Sequence, residues 1–424
     1  MQLYRGWDRF EETDTDVIDF DLSGVRGRAS FRSRDEVLNA LLRLRDQLDE
    51  ILENPSEVAL LDAEFLLARV EGSISYLQAR MGGQILFPEY LESTLAIHKE
   101  TALGIQPAAF SDLKFSDEDI AAAHKAASEQ LFDILGLAMR PQQRPRFEQE
   151  FMIRDRDTIR DGIVGDQELW LSRLREQGIQ VPDQVPLSVQ FDEVDAYWSN
   201  WIAGSKQKGI TLTINLHSRR KYDKGRLLAL CLHEICGHAA QMSIWEDRIS
   251  HRQINEACGV TTVHSPEAVV CEGLGQTVAD FLAEDLKCES ALHLSRALQY
   301  YNLLVLHNAH LMLYEHIPVK KVLEYAVDQL PLMDPLDVER ELHDRGVDPL
   351  YRSYQLTYAI GEKTIRDLIR RFSTQQKREL FRQIYTTPMT HRHLLATAAR
   401  IRGNIGFDGN IQAREATDAA RVEC

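Results

Sequence analysis

The sequence lacks the features that mark nucleic-acid-binding, exported and membrane-spanning proteins. Its 65 acidic and 49 basic residues give a formal net charge of −16, which opposes binding to nucleic acids and to anionic membranes. No apolar stretch reaches transmembrane length, and the opening MQLYRGWDRFEETD lacks the basic, then hydrophobic, profile of a signal peptide. We therefore expect a cytoplasmic protein with no nucleic-acid or membrane partner, while homodimer formation stays open.

Cysteine is scarce, and its spacing argues against a separate thiolate zinc site. The chain has six cysteines and no CxxC pair. Cys231 and Cys236 lie in an apolar stretch, where buried free thiols are the simplest interpretation. Without an export signal, a disulfide among the cysteines is not expected.

Internal repeats and low-complexity tracts are also absent, and the composition is that of a globular protein, with 44% hydrophobic and 27% charged residues. Apolar residues recur at helical spacing through most of the chain, which predicts a mainly α fold. Residues 210–216, ITLTINL, instead alternate like a strand, so we expect a small sheet there. This strand either offers an open edge to extended substrates or is an ordinary strand of that sheet. We divide the chain into an N-terminal helical region, 1–185, and a catalytic region, 186–424, packed as one large unit.

The most informative motif is HEICGH in the run LLALCLHEICGHAAQMSIW. Between Arg226 and Glu246 the one charged residue is Glu234, which stands beside His233 and four residues before His238. A lone glutamate in an apolar helix is costly unless it is paired or coordinated. Histidine nitrogens bind Zn²⁺ well, and a neighbouring glutamate can take a proton from the water that the metal activates. The motif therefore predicts a catalytic zinc site with one ion, held by His233 and His238.

The spacing of the two histidines needs a distorted helix. Residues five apart in a regular α-helix point about 140° away from each other, since each residue turns the helix by about 100°. A π-bulge absorbs the extra residue and lets both side chains reach one metal. Gly237 lowers the steric cost of such a turn. We therefore predict a π-bulge at the motif.

A catalytic zinc usually has a third protein ligand, and two glutamates compete for this place. Glu256, in INEACG, lies 18 residues after His238, and Glu272, in VVCEGLGQTVADFL, lies 34 residues after it. We prefer Glu272, because an apolar helix that begins at Ser265-Pro266 would bury its carboxylate. Glu256 precedes a glycine and a β-branched run that is typical of a loop.

These segments resemble a known group of enzymes. HEICGHAAQ is similar to the HExxPGHxxQ motif of a large bacterial family of helical metallopeptidase-like proteins, with one residue fewer before Gly237, and CEGLGQTVADFL resembles its EGWAxYxE segment. YQLTYAIGEKTI resembles its Q-x-x-Y-x-x-G-x-x-x-I segment. The histidine spacing also resembles the HExxxH tyrosine carboxypeptidases and the HExxGH dipeptidyl peptidase III family. Related helical enzymes include the carboxypeptidase Taq-like group.

The resemblance covers roughly 210–372 and implies a helical gluzincin fold. It implies His233, His238 and Glu272 as zinc ligands and Glu234 as the base. Two departures matter. Leu274 and Thr277 replace the tryptophan and tyrosine of EGWAxY, so we expect a different pocket beside the metal. The shortened HEICGH loop leaves the choice among these relatives, and with it the substrate, open.

Further residues are candidates for supporting roles. Tyr358, in the late motif, is our first choice as a donor to the oxyanion, with Tyr354 one turn earlier. His310 shares a helix side with His307 and Tyr314 and is a second catalytic candidate. Arg219 and Arg220, in the basic run HSRRKYDKGR, could bind a substrate carboxylate, and the C-terminal clusters 391–393 and 400–402 are other sources of cations.

The predicted function is a zinc-dependent hydrolase, most simply a metallopeptidase or carboxypeptidase-like enzyme that cleaves amide bonds of short peptides. In this mechanism Glu234 assists the attack of water activated by zinc. Two alternatives remain open. One is a zinc enzyme acting on a non-peptide metabolite in a biosynthetic pathway. The other is a non-catalytic helical scaffold with a closed four-ligand metal site that recruits Cys236 or His264.

Overall fold

Helices form most of the protein, which confirms the predicted mainly α fold, and a small mixed sheet lies beside the histidine motif. A computed structural model describes residues 1–11, 17–24, 27–53, 60–102, 104–153, 155–165, 167–195, 199–218, 220–262, 264–282, 290–347 and 351–403.

The α-helices are α1 Gln2–Glu11, α2 Arg34–Glu53, α3 Leu60–Arg80, α4 Phe87–Leu95, α5 Asp117–Leu135, α6 Arg144–Phe151, α7 Arg156–Val164, α8 Gln167–Glu176, α9 Lys224–Cys231, α10 Ala240–Ser250, α11 Ala268–Phe281, α12 Ser290–Tyr314, α13 Val319–Gln329, α14 Pro335–Val347, α15 Tyr351–Arg370, α16 Thr374–Thr386 and α17 His391–Gly403.

The strands are β1 Ile18–Asp21, β2 His98–Thr101, β3 Gly104–Pro107, β4 Met152–Ile153, β5 Leu187–Asp192, β6 Asn200–Ser205, β7 Gly209–Asn215, β8 Tyr222–Asp223 and β9 Val260–Thr262. The largest sheet has the order β5-β7-β6-β1-β9, with β5–β7 and β6–β1 parallel and the other pairs antiparallel. Short 3-10 helices cover Phe110–Leu113, Pro141–Gln143 and Glu256–Gly259.

The predicted strand is confirmed as β7, and of its two interpretations the ordinary strand of a small sheet is the one that the structure shows. β7 pairs along its length with β5 on one side and β6 on the other, so it is an interior strand. Its alternation has the usual cause, because Ile210, Leu212 and Ile214 are buried while the threonines between them are half-buried. Leu212 and Ile214 belong to the same apolar core as the histidine motif, so the sheet supports that helix from one side.

The histidine motif lies in a continuous helix in which α9 leads into a π-helix, Leu232–Ala239, and then into α10. We call this the motif helix. Contrary to the expectation from the sequence, its portion from Gly225 to Ser250 is long and apolar enough to cross a membrane by length and composition, but 78% of its most apolar window is buried inside the protein. Its apolar side chains thus have their partners in the protein core, and Cys231 and Cys236 are buried free thiols, as expected.

Helix α11 carries Glu272 and lies against α15 at unusually short distance. A Cβ atom placed on Gly361 would approach the carbonyl oxygen of Val269 to 2.2 Å, and one on Gly273 would approach the backbone of Gly361 to 2.7 Å. Any side chain at either position would push the two helices apart, so the glycines allow a contact between the two backbones. This contact sets where the side chains of α15 stand relative to Glu272.

The N-terminal region and the region from residue 186 onwards pack into one common sheet and one common core. β1 is a strand of the same sheet as β5, β6, β7 and β9, and α5 packs into one core with α12. The fully buried Arg69 of α3 donates two hydrogen bonds to Glu267, the residue that precedes α11, at 3.0 and 2.5 Å. Removing either partner of such a buried ion pair typically costs about 3–5 kcal/mol.

The close contact between α11 and α15 predicts a sensitive position. Gly361→Ala should lower the free energy of unfolding by about 1–3 kcal/mol, because the new methyl group overpacks the interface. Urea unfolding followed by circular dichroism measures the change. Gly403→Ala is the control, since none of the described residues comes within 4 Å of a Cβ atom at that position. Equal stability of the two variants would contradict this account of the contact.

Candidate metal centre

The π-helix brings the two histidines of the motif together. The predicted π-bulge is confirmed as a full π segment, and across it the Nε2 atoms of His233 and His238 lie 3.1 Å apart. The ring planes meet at 79°, so the two nitrogens converge edge-on and the rings do not stack. His238 is buried and His233 is half-buried, so the pair faces the interior of the protein.

Glu272 is the carboxylate that joins the two imidazoles. Its Oε2 lies 3.2 Å from Nε2 of His233, and its Oε1 lies 3.6 Å from Nε2 of His238. Among the described residues, these three form the one group of His, Cys, Asp or Glu side chains close enough to hold a metal, with ligand atoms within 4.8 Å of one another. Glu256, the competing glutamate, is exposed on a 3-10 helix.

The donor set fits a zinc ion. Two ligands of a tetrahedral zinc at about 2.0–2.1 Å are separated by about 3.3 Å, and the observed separations are 3.1, 3.2 and 3.6 Å. Buried oxygens of two carboxylates, Oε2 of Glu234 and Oε2 of Glu272, accept no hydrogen bond from the described residues. Unsatisfied buried anionic oxygens beside two imidazole nitrogens are costly without a cation.

The charges of the three residues are strongly coupled. Burial opposes charge on His238, but the carboxylate of Glu272 outweighs burial and raises the pKa of His238 to about 9. Burial also favours the neutral form of Glu272, yet the positive charges of His238 and His233 hold its pKa well below the usual range. Glu272 is therefore anionic at neutral pH, as a metal ligand must be.

Glu234 is held differently from Glu272. Its side chain is buried, and burial raises the pKa of its carboxyl group above the usual range. Asn200, on β6, donates a hydrogen bond of 2.6 Å to Oε1 of Glu234. One oxygen is thus fixed by the sheet, while the buried Oε2 takes no hydrogen bond from the described residues, and Glu234 lines the large cavity. A raised pKa and one oxygen without a hydrogen bond suit a group that accepts and returns a proton.

Two tyrosines of α15 stand beside the cluster. Tyr354 donates a hydrogen bond to Oε1 of Glu272, and burial together with the charge of Glu272 raises the pKa of Tyr354 well above its usual value, so its hydroxyl stays protonated. The ring of Tyr358 lies 6.4 Å from that of His233 and 5.7 Å from that of Tyr354. Tyr358 also lines both cavities at the cluster, so its side chain borders the space beside the two histidines.

Glycines let α11 approach the π-helix. A Cβ atom on Gly275 would lie 2.7 Å from the imidazole of His233, and one on Gly237 would lie 2.8 Å from the Cα atom of Gly275. The absence of a side chain at Gly237 therefore lets α11 pack closely against the π-helix. The sequence had suggested another role for Gly237, which was to lower the steric cost of a distorted turn. The absence of a side chain at Gly275 leaves the space that the ring of His233 occupies.

A large cavity opens from the cluster. It has a volume of about 690 Å³, within the range of small-molecule sites. His233, Glu234, Tyr358 and Arg220 line it, and Arg219 lies outside the described residues. A smaller cavity of about 100 Å³, lined by His238 and Glu272, lies beside it.

Several predicted participants lie elsewhere. His310 is buried in α12 but lines neither cavity, so the structure does not bring it to the site. His307 bonds the backbone oxygen of Leu113 at 2.8 Å inside the core. The C-terminal basic clusters also line neither cavity, and their members His391, His393 and Arg402 contact Thr364, Glu64 and Glu100.

Sequence reasoning missed Asn200 and the bond from Tyr354 to Glu272. Asn200 carries no signal in YWSNWIAGS, because its role depends on where β6 crosses the motif helix. Asp280, two turns beyond Glu272 on α11, pairs with Arg296 at 2.5 Å.

Comparison with known proteins adds information on the fold. No family model matches the chain, and no curated protein matches it. Among solved structures it is similar to "the putative lipoprotein from Colwellia psychrerythraea", with 13% sequence identity, a TM-score of 0.56, and coverage of 88% of this chain and 69% of that one. It is also similar to "a putative lipoprotein of unknown function from Shewanella oneidensis", with 11% identity, a TM-score of 0.53, and coverage of 87% and 72%. At these identities the likeness concerns the fold alone.

The cluster predicts that the protein binds one zinc ion through Glu272. Glu272→Gln should lower zinc affinity by more than about 100-fold, because even residues behind the ligands typically contribute 10- to 100-fold. Elemental analysis and competition with a chelator measure this change. Glu256→Gln is the matched control and should bind like the wild type. Equal losses in both variants would sink the assignment of the third ligand.

The core position of His307 predicts a pH-dependent stability. Burial lowers the pKa of His307 to about 4, below the unfolded value near 6.5. The unfolded chain therefore binds more protons between these pH values, and stability falls as the pH drops through this window, by up to about 1.4 kcal/mol per pH unit. His307→Gln should flatten this slope by about 1 kcal/mol per unit in urea unfolding at pH 4 to 7. His251 is exposed, so the control variant His251→Gln should leave the slope of stability against pH unchanged. Parallel curves for the wild type and His307→Gln would contradict the role of buried His307 in this slope.

Proposed function

We propose that the protein is a zinc-dependent hydrolase, most simply a metallopeptidase that cleaves amide bonds of short peptides. One observation carries the proposal. His233, His238 and Glu272 converge beside a small cavity that Glu234 also lines, and His233 and Glu234 line the large, substrate-sized cavity next to it as well, so a metal-ligand set and a buried base border the same site. These four residues are the ones that match the gluzincin motifs in the sequence. We therefore also propose that the protein belongs to that broad group.

The residues of the chain have distinct tasks in this proposal. A zinc ion held by His233, His238 and Glu272 would supply Lewis acidity, which acidifies water and polarises a carbonyl group. Oε2 of Glu234 takes a proton from water as the water oxygen adds to the acyl carbon. Glu234 returns this proton to the leaving nitrogen when the C–N bond breaks. The products are a carboxylic acid and an amine, so the atoms of one water molecule are accounted for.

Three neighbours support these tasks. Asn200 fixes Oε1 of Glu234 through the 2.6 Å hydrogen bond, which leaves Oε2 for the proton. Tyr354 bonds Glu272 and orients this ligand. Tyr358 lines the cavity with its ring 6.4 Å from that of His233 and is our candidate for stabilising the oxyanion. Arg220 lines the same cavity and remains a candidate for binding a substrate carboxylate.

The alternatives have less support. A closed four-ligand site would need Cys236 or His264, yet among the described residues neither joins the cluster. His264 instead bonds Ser73 at 3.0 Å and stacks on Tyr76 with ring centroids 4.4 Å apart. Chemistry on a non-peptide amide would use the same base and metal, so substrate profiling has to separate it from peptide hydrolysis.

The location of the protein is a separate proposal. The acidic charge and the sequence favour the cytoplasm, whereas the descriptions of the two structural neighbours as lipoproteins favour a membrane-anchored or exported protein. We retain the cytoplasm as the proposed location. Cell fractionation of the natural host, with the protein detected by antibody, tests it.

The proposed mechanism predicts separable effects of two substitutions. Glu234→Gln should keep zinc bound and lower kcat by roughly 10²- to 10⁴-fold, because the base is lost while the three ligands stay. Tyr358→Phe should lower kcat by roughly 10²- to 10³-fold, because one oxyanion donor is lost. Both are measured on a mixture of short peptides by mass spectrometry, with zinc content determined in parallel.

Tyr301→Phe is the control, since Tyr301 lines the cavity but donates its hydrogen bond to the backbone of Gln329. It should retain most of the activity. A zinc-loaded Glu234→Gln variant with wild-type turnover would rule out the mechanism, and a wild-type protein that binds no zinc would rule out the function.

A further inference from the structure

The large cavity follows one face of the motif helix. Its lining includes Arg226, Ala229, Leu230, His233 and Glu234. These positions are spaced by three, four, seven and eight residues from the first, which is the spacing of a single stripe on an α-helix. The cavity therefore extends from the metal ligands towards the N-terminal end of the helix, where Arg226 stands.

Arg226 differs from Lys221, Arg296 and Arg340, three of the other cations that line this cavity. Lys221 pairs with Glu148 at 3.0 Å, Arg296 pairs with Asp280 at 2.5 Å, and Arg340 lies 3.9 Å from Asp337. These cations are already neutralised by carboxylates of the chain, so they have less charge to offer a ligand.

The guanidinium of Arg226 has neutral hydrogen-bond partners in the described part of the chain. It donates to the backbone oxygen of Lys221 at 3.2 Å and to the hydroxyl of Ser199 at 3.4 Å, and it lies 5.8 Å from the ring centroid of Tyr222. The carboxylate of the neighbouring Asp223 accepts hydrogen bonds from the backbone N–H of Arg226 at 2.7 Å and from Ser295 at 3.4 Å, and it interacts with the Arg226 guanidinium through charge alone. Arg226 thus combines a held position with a guanidinium that donates no hydrogen bond to a described carboxylate.

We propose that Arg226 binds the C-terminal carboxylate of a peptide substrate. A planar guanidinium at a cavity wall is well suited to a carboxylate, because it offers paired N–H donors. The inference rests on the proposed hydrolase function and names its substrate class, which is peptides with a free C-terminus. It assigns a specificity-determining role to a residue on the motif helix itself.

The distance between Arg226 and the ligands sets the length of the product. The seven residues from Arg226 to His233 rise by about 10.5 Å along the helix. Both side chains lean towards the helix N-terminus, so their tips keep about this separation. An extended peptide advances about 3.3–3.6 Å per residue. The bond at the metal is therefore two or three residues from the carboxylate, and the enzyme releases C-terminal dipeptides or tripeptides.

The test compares peptides that differ only at the C-terminus. N-acetylated hexapeptides of varied sequence are offered to the zinc-loaded protein as free acids and as carboxamides, and the products are identified by mass spectrometry. The free acids should be cleaved roughly 10- to 100-fold more efficiently by kcat/KM, as expected for a charge-assisted hydrogen bond. The first products should be dipeptides or tripeptides from the C-terminus.

Variants tie this preference to one side chain. Arg226→Gln should remove the preference for free acids mainly through KM, and Arg226→Lys should keep part of it. Arg340→Gln is the matched control, because it removes a cation from the same cavity and should keep the preference. Equal cleavage of acids and amides by the wild type, an unchanged preference in Arg226→Gln, or release of single residues would each overturn the inference.

A binding measurement separates this inference from the proposed function. Calorimetry with zinc-loaded Glu234→Gln compares acetyl-Ala-Ala-Ala as the acid and as the amide, without turnover. If the wild type hydrolyses no peptide, the proposed function fails. The calorimetric comparison of acid and amide then still tests whether Arg226 binds a carboxylate. Tighter binding of the acid that is lost in the double variant with Arg226→Gln supports the carboxylate site, and equal binding of acid and amide overturns it.

Discussion

The site depends on one backbone constraint, the π-helical stretch of the motif helix. Two histidines five residues apart would diverge on a regular helix, and the π segment turns their Nε2 atoms to within 3.1 Å of each other. An extra residue in a helix is costly, and here it is surrounded by packed neighbours. The sheet supports one side, and α11 approaches the other through Gly237 and Gly275. Tertiary packing thus holds a conformation that the helix alone would not favour.

The same packing controls the electrostatics of the cluster. Glu272 and Glu234 are both buried within the same site, yet their pKa values shift in opposite directions. Glu272 faces both imidazoles and receives the hydrogen bond of Tyr354, so it stays charged. Glu234 has less compensation for its burial, so its pKa rises. Two carboxylates with different proton affinities are the arrangement that separates a ligand from a base.

The support for the site comes from several parts of the chain. β6 supplies Asn200, α11 supplies Glu272, and α15 supplies Tyr354 and Tyr358. The backbone contact of Gly273 with Gly361 fixes α15 against α11, and the Arg69–Glu267 ion pair ties the start of α11 to the N-terminal region. The first half of the chain therefore contributes to the site by positioning α11, although it shares no motif with the resembling families.

The sequence by itself determined the mainly helical fold, strand β7, the π distortion and the group His233, His238 and Glu272. These follow from local periodicity, from the impossibility of aligning two histidines five apart on an α-helix, and from the cost of a glutamate in an apolar helix. Only the tertiary structure decided that β7 is an interior strand, that Asn200 holds Glu234, that His310 lines neither cavity and that Arg226 lines the large one. Those facts depend on how elements distant in the chain pack together, and a local pattern carries no information about a partner that the fold brings from elsewhere.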